Sequence, residues 1–209
     1  MNKLLYVIVA IVSVACGVFI YSAMSKPELP KTALYYQAPR VVEPFTLTAH
    51  TGEAFTNKDL EGKWSWVFFG YTSCPDVCPT TLQKLNFVYD ELKVVADTQV
   101  LLVSVDPMRD KVEKLSQYIA YFNSEFLALR ADHGVLFPFA RNLGLMYAIA
   151  DDPEQENYLV DHSASIVLIN PNGKIAAIFK PQEVLGQIPS INEEDLVADF
   201  KRVVTLADL

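Results

Sequence analysis

Two cysteines, Cys74 and Cys78, sit in the segment Phe69-Gly70-Tyr71-Thr72-Ser73-Cys74-Pro75-Asp76-Val77-Cys78-Pro79-Thr80-Thr81. Their spacing, Cys-x-x-x-Cys, is one residue longer than the thioredoxin redox motif. A loop of that size closes a disulfide, and it also lets both sulfurs point at one ion. Buried cysteines often serve as small packing residues, but two in one turn between a buried strand and a helix start indicate chemistry. Free backbone N–H groups and the positive end of the helix dipole favour thiolate over thiol there. A thiolate is both a nucleophile and a soft metal ligand, so a redox pair and a metal site both remain open. The chain has three histidines, at 50, 133 and 162. His50 falls at the tip of an expected hairpin and His133 in an expected loop between Asp132 and Gly134. His162, in Asp161-His162-Ser163, precedes an apolar run. Asp76 and Asp161 are the carboxylates nearest these residues in sequence, suited either to orienting His162 or to solvation and loop capping.

The elements around these residues follow from hydrophobic period. Trp64-Ser65-Trp66-Val67-Phe68-Phe69-Gly70 is an almost continuous apolar run of the kind covered on both faces of a sheet. Pro79 suits a first helical turn, and Leu82, Leu85, Tyr89 and Leu92 recur at helical spacing. Val100 to Val105 repeats the buried-strand pattern and is stopped by Asp106-Pro107, which together with Arg109-Asp110 suggests a strand-terminating turn with a local ion pair. Val112, Leu115, Ile119 and Phe122 mark a second helix, so two strand-helix units imply a parallel sheet. Val135, Phe139 and Leu143 mark a shorter helix closed by Gly144, with Pro138 limiting its early turns. Ile166 to Ile169 and Lys174 to Phe179 flank an Asn170-Pro171-Asn172-Gly173 turn, and Leu196, Phe200 and Val203 mark a closing helix. Upstream, Phe45 to Thr48 and Ala54 to Thr56 form a small hairpin. This order predicts an α/β, thioredoxin-like fold with an N-terminal hairpin and a helical insertion. In such a fold the loop entering the strand at Ile166 faces the cysteine turn. His162 is therefore the histidine brought toward Cys74 and Cys78, giving two thiolates and one imidazole with room for a weak further ligand.

The 209 residues suit one domain with an appendage. Seventeen Lys and Arg against 25 Asp and Glu give a net charge of −8, a field that repels phosphate and excludes nucleic acid as a partner. Apolar residues at 51% and charged ones at 20% exclude a disordered chain. Leu4 to Met24 runs uncharged between Lys3 and Lys26, long enough to span a bilayer and longer than the apolar core of a cleavable signal peptide. Val14-Ala15-Cys16-Gly17 partly matches a lipoprotein signal, but Ser13 stands where Leu is usual and the apolar run continues, so Cys16 reads as packing within the membrane. Residues 1–26 are expected to be an uncleaved transmembrane anchor and residues 27–44, with four prolines, an extended linker. Residues 45–209 are expected to form the domain. Loop charge does not fix the orientation. A three-residue tail stays in the cytoplasm more readily than a whole domain, so residues 27–209 are expected outside it, and an N-terminus without the Arg- and Ser-rich amphipathic character of a transit peptide suggests a bacterial inner membrane with the domain in the periplasm.

Gly70-Tyr71-Thr72-Ser73-Cys74-Pro75-Asp76-Val77-Cys78-Pro79, Val103-Ser104-Val105-Asp106-Pro107-Met108-Arg109-Asp110, Val160-Asp161-His162-Ser163 and Asn170-Pro171-Asn172-Gly173 together resemble the Sco/SenC family, in order and spread over most of residues 45 to 206. Ser73 stands where many members carry His, and Lys111-Val112 where Thr-Pro is more usual. The resemblance implies a membrane-tethered copper-binding protein that assists assembly of the binuclear copper centre of cytochrome c oxidase. Its ligands would be Cys74, Cys78 and His162, and its partners the oxidase's copper-bearing subunit, a copper donor and a thiol reductant. Two thiolates and an imidazole suit Cu(I) and tolerate Cu(II), and zinc would accept the same set. The competing reading is an enzyme, a membrane-anchored thiol-disulfide oxidoreductase using Cys74 and Cys78 as its redox pair. The Pro-x-x-x-Thr-x-x-Cys segment of a peroxidase of related fold is missing from the sequence.

Overall fold

In the computed structural model, residues 2–24, 27–149, 158–182 and 188–207 are described. The chain opens with α1 (Asn2–Met24), a 23-residue helix whose described apolar side chains, from Leu5 to Phe19, are exposed. Among the described residues no helix is long and apolar enough to cross a membrane; within the expected span from Leu4 to Met24, the side chains of Leu4 and of residues 20–24 lie outside those described. β1 (Leu34–Val41) follows, then the hairpin of β2 (Thr46–Ala49) and β3 (Ala54–Thr56), in which Leu47 faces Phe55. Gly52, at φ +89° in the connecting turn, occupies a region open to glycine and strained for other residues.

β4 (Trp64–Gly70) is buried at all seven positions. α2 (Val77–Val95), β5 (Thr98–Ser104), α3 (Val112–Phe122), β6 (Leu127–Arg130), α4 (His133–Leu143), β7 (Tyr147–Ile149), β8 (Val160–His162), β9 (Ile166–Ile169), β10 (Lys174–Phe179) and α5 (Glu193–Ala207) complete the chain. Eight strands form one sheet in the order β1-β10-β9-β4-β5-β6-β2-β3, while β7 and β8 form a separate antiparallel pair. β4 is parallel to β5, with Gly70 opposite Ser104, and antiparallel to β9, with Phe68 opposite Ile166. The continuous apolar run of β4 has its physical reason here. Trp64 and Trp66 meet Phe200 of α5, at 5.6 and 4.9 Å between ring centroids, while Phe69, on the opposite face, meets Phe139 of α4 at 6.0 Å. Burying each such side chain contributes roughly 1.5–3 kcal/mol, so slipping β4 by one residue would misplace its aromatics on both faces.

The structure corrects the sequence reading at four places, one of them the β7–β8 ribbon, which puts His162 at the end of a strand and not in the loop entering β9. Residues 34–41, expected in a linker, form β1, an edge strand antiparallel to β10 with Leu34 opposite Ile178 and Val41 opposite Lys174. Its register shifts between Tyr35 and Arg40, which accommodates Pro39 at an edge where a missing N–H is tolerated. The entry to β1 is also pinned, because the buried carboxylate of Asp199 accepts N–H hydrogen bonds from Lys31, Thr32 and Ala33 at 2.8, 2.7 and 2.9 Å. β6 was not anticipated either; it is only four residues long and lacks a readable period. His133 opens α4 instead of lying in a loop, its ring stacked on Phe137 and Tyr147. The hairpin at β9–β10, the closing helix and the C-cap of α4, Gly144 at φ +79°, agree with the sequence.

Candidate metal centre

β4 delivers the cysteine turn. Its last residue, Gly70, accepts the Val105 N–H, and the chain then turns through Tyr71 to Cys74, whose N–H bonds the Tyr71 carbonyl at 3.2 Å. Cys78 is the second residue of α2 and is fully buried, while Cys74 is partly exposed. Gly70 is required by this seating, since a Cβ there would lie 2.9 Å from the Cys78 Sγ and 3.0 Å from Phe68. β8 delivers His162 from the other side, with its Nε2 3.3 Å from the Cys78 Sγ. The donor atoms of Cys74, Cys78 and His162 all lie within 4.8 Å of one another. Donors held about 2.0–2.3 Å from one ion are separated by at most roughly 4.6 Å, so a small inward adjustment suffices for this set to grip a metal.

The electrostatics separate the two sulfurs. The hydrogen bond from Cys78 is the largest effect on Cys74; against the cost of burial it combines with His162 and the backbone N–H groups of Cys78 and Asp76 to bring the Cys74 thiol down to about 4. Burial pushes Cys78 strongly up, and the neighbouring Cys74 adds to the rise. The metal-free site thus holds a Cys74 thiolate beside a Cys78 thiol. His162 Nδ1 lies 3.2 Å from the Ser163 carbonyl, which only accepts, so Nδ1 is the donor of that bond and Nε2 is the ring nitrogen that faces the sulfurs. This bond, not a carboxylate, orients the ring. Asp76 is exposed and makes no side-chain cap to α2, and Asp161 is exposed on β8. His50 and His133 lie elsewhere: His50 Nδ1 accepts the Ala128 N–H at 3.1 Å, and His133 Nδ1 faces the Tyr147 hydroxyl at 2.9 Å.

Several residues around the site escaped sequence reasoning. The buried ring of Tyr71 meets the His162 ring edge-on at 5.9 Å, and Phe68 does the same from beneath. Asp110, fully buried, accepts hydrogen bonds from the Thr72 N–H at 3.0 Å, from the Thr72 hydroxyl and from Ser104 Oγ at 2.7 Å, so it braces the cysteine turn from below. The expected ion pair in this turn exists between Arg109 and Asp106. The motif Asp106 to Asp110 was readable as a strand-terminating turn; that its carboxylates are buried beneath the cysteines was not. The site opens into a groove of about 300 Å³ lined by Cys74, His162, Val77, Leu159 and Pro189 among others.

With this geometry in hand, comparison with known proteins is decisive. The family model described as SCO1/SenC matches residues 34–194. The chain belongs to the SCO1/SenC family. It is 36% identical over 153 residues to the human mitochondrial SCO1 homolog, covering 72% of this chain and 51% of that protein, so it spans about half the length of this relative. It is 32% identical over 180 residues to a SCO2-like protein of Rickettsia prowazekii, covering 82% and 88% of the two chains. Among solved structures, Arabidopsis thaliana ScoI with copper bound superposes with a TM-score of 0.70 at 28% identity, covering 79% of this chain and 98% of that one. Yeast Sco1 with copper bound gives 0.69 at 29%, covering 80% and 90%. These neighbours establish the thioredoxin-like α/β Sco fold for this SCO1/SenC member.

Proposed function

We propose that this protein is a copper carrier in cytochrome c oxidase assembly, holding one copper through Cys74, Cys78 and His162. The observation that carries the reading is the convergence of two sulfurs and one imidazole nitrogen within 4.8 Å at the floor of an open groove. Soft thiolates with one imidazole match copper's preferences, and relatives of the same fold were solved with copper bound. A carrier must also release its cargo. Cys74, partly exposed, is the ligand that an acceptor's thiolate displaces first, and buried Cys78 is the last to let go. The acceptor is the copper-bearing subunit of the oxidase, and the carrier takes copper from a donor and electrons from a thiol reductant.

The protein is tethered to a bacterial inner membrane by its first 26 residues, with the domain on the periplasmic side. Support comes from the uncharged run Leu4 to Met24 and from the apolar side chains that α1 exposes around its whole circumference. A helix apolar all round requires lipid or protein to cover it.

A second reading, thiol-disulfide exchange on the cysteines of an acceptor copper site, is favoured by one specific feature. A low-pKa exposed thiolate backed by a buried thiol is the arrangement of an attacking and a resolving cysteine. His162→Ala in the full chain separates the two. The carrier reading expects the variant to stay folded and bind Cu(II) tenfold or more weakly, with exchange of a test disulfide little changed. Undiminished copper affinity would remove His162 from the site and leave the exchange reading standing.

A further inference from the structure

The strand that carries His162 is not part of the sheet whose strand β4 leads into the cysteine turn. β8 pairs with β7, with Tyr147 opposite His162, and this two-stranded ribbon stands apart from the eight-stranded sheet. A ribbon of two short strands is marginal on its own, so other contacts must fix where His162 sits relative to Cys74 and Cys78. The structure supplies them from the turn after β5. The Tyr158 hydroxyl, four residues before His162, donates to the Asp106 carboxylate. The same carboxylate accepts from the Arg109 Nε and from the Arg109 backbone N–H, the latter at 3.3 Å. The Arg109 guanidinium lies 3.6 Å from the centre of the Tyr158 ring and 5.6 Å from that of Tyr71. Tyr71 in turn accepts the Val160 N–H at its hydroxyl, at 3.4 Å, and holds its ring edge-on to His162. Asp106, Tyr71 and Tyr158 are all buried.

We propose that Asp106, Arg109 and Tyr158 form a clamp whose role is to position His162, and that through this residue it sets the relative affinity of the site for Cu(II) and Cu(I). The inference rests on the copper-carrier reading and adds residues to it. Its physical basis is the unequal need of the two oxidation states for the imidazole. Cu(I) is satisfied by two soft thiolates, whereas Cu(II) favours additional nitrogen donors in a fixed geometry. A guanidinium locked between a carboxylate and an aromatic face is stiff, because it is planar and charged and both of its partners are buried. A ring held at the right distance favours Cu(II). A ring on a loosened strand forfeits that advantage and leaves the thiolates to hold Cu(I). The residues act through His162, so they are positioning residues, and the readouts must exceed a change in stability.

Tyr158→Phe removes one hydroxyl and keeps the ring under Arg109. In the reduced, metal-free full chain, the Val160 amide should exchange its hydrogen measurably faster while the melting transition stays cooperative. On titration, Cu(II) affinity should fall tenfold or more, with a weaker thiolate-to-copper charge-transfer band. Cu(I) affinity, measured by competition, should stay within about threefold. Arg109→Lys, which keeps the charge but loses the planar stack, should shift the same quantities in the same direction and serves if Tyr158→Phe fails to fold. Unchanged Val160 exchange would overturn the clamp. Affinities for the two oxidation states that fall together, or that both stay put, would overturn its role in selectivity. A wild-type chain that bound no copper would sink the carrier reading instead, and Val160 exchange in the metal-free variants would still decide whether the clamp exists.

Discussion

Cys74 and Cys78 stand four residues apart in one turn, yet their environments sort them into different chemistries. Cys74 is the partly exposed thiolate, held near 4, and Cys78 the buried thiol. Iodoacetamide should therefore alkylate Cys74 rapidly in the reduced, metal-free chain, and its rate, followed by peptide mapping, should drop as pH falls through about 4. Cys78 should resist until the protein unfolds. Because the folded pKa of Cys74 lies below its unfolded value near 9, the contacts that favour its thiolate stabilise the fold fully above pH 9 and cease to do so as pH falls through about 4. Gly70 makes the tightest steric demand at the site. Gly70→Ala places a methyl group 2.9 Å from the Cys78 Sγ and 3.1 Å from Leu102. Overpacking of this kind costs about 1–3 kcal/mol, and here the displaced atom is a proposed metal ligand. Both the melting temperature and copper affinity should fall in this variant; copper affinity equal to wild type would mean that the Cys78 seat tolerates movement.

The N-terminal segment that reads as linker shows how one buried carboxylate converts sequence into an element. Burial alone would raise the pKa of Asp199, but the N–H groups of Lys31, Thr32 and Ala33 and the Thr32 hydroxyl overcome it and bring the group down to about 2. A depressed folded pKa means that this contribution is complete above pH ~4 and is lost as pH falls through about 2. Asp199→Ala should destabilise the domain by about 2–4 kcal/mol, since three N–H groups lose their acceptor. Amide exchange in β1 should accelerate ahead of that in β4; uniform acceleration would show that β1 does not depend on this anchor. The contrast explains which elements were legible. β4, α2, β5 and α5 announce themselves because buried runs and helical spacing are local patterns. β1, β6 and the β7–β8 ribbon do not, because they are short or lie at an edge, and their partners are distant in sequence. The ligands divide in the same way. The two cysteines were visible in one motif, and His162 through its place before β9. Tyr71, Asp106, Asp110 and Tyr158 gain their roles only when the turn after β5 folds beneath the cysteine loop.

At the scale of the whole molecule, one end of the eight-stranded sheet gathers a pair of free cysteines, an imidazole and an open groove on a chain of net charge −8. Under the proposed carrier role, redox state must govern cargo, because a disulfide between Cys74 and Cys78 uses the same two sulfurs that a metal would require as free thiolates. An oxidising compartment closes the pair, so loading follows reduction. All of this depends on copper being held by these three residues. X-ray absorption at the copper edge, on the reduced full chain loaded with one equivalent, tests that dependence most directly. The account predicts two sulfur scatterers at about 2.2–2.3 Å and one imidazole nitrogen near 2.0 Å, with both sulfurs lost in the double variant Cys74→Ser, Cys78→Ser and the imidazole lost in His162→Ala. A shell of oxygen and nitrogen without sulfur, or a spectrum identical in wild type and in the double variant, would contradict it.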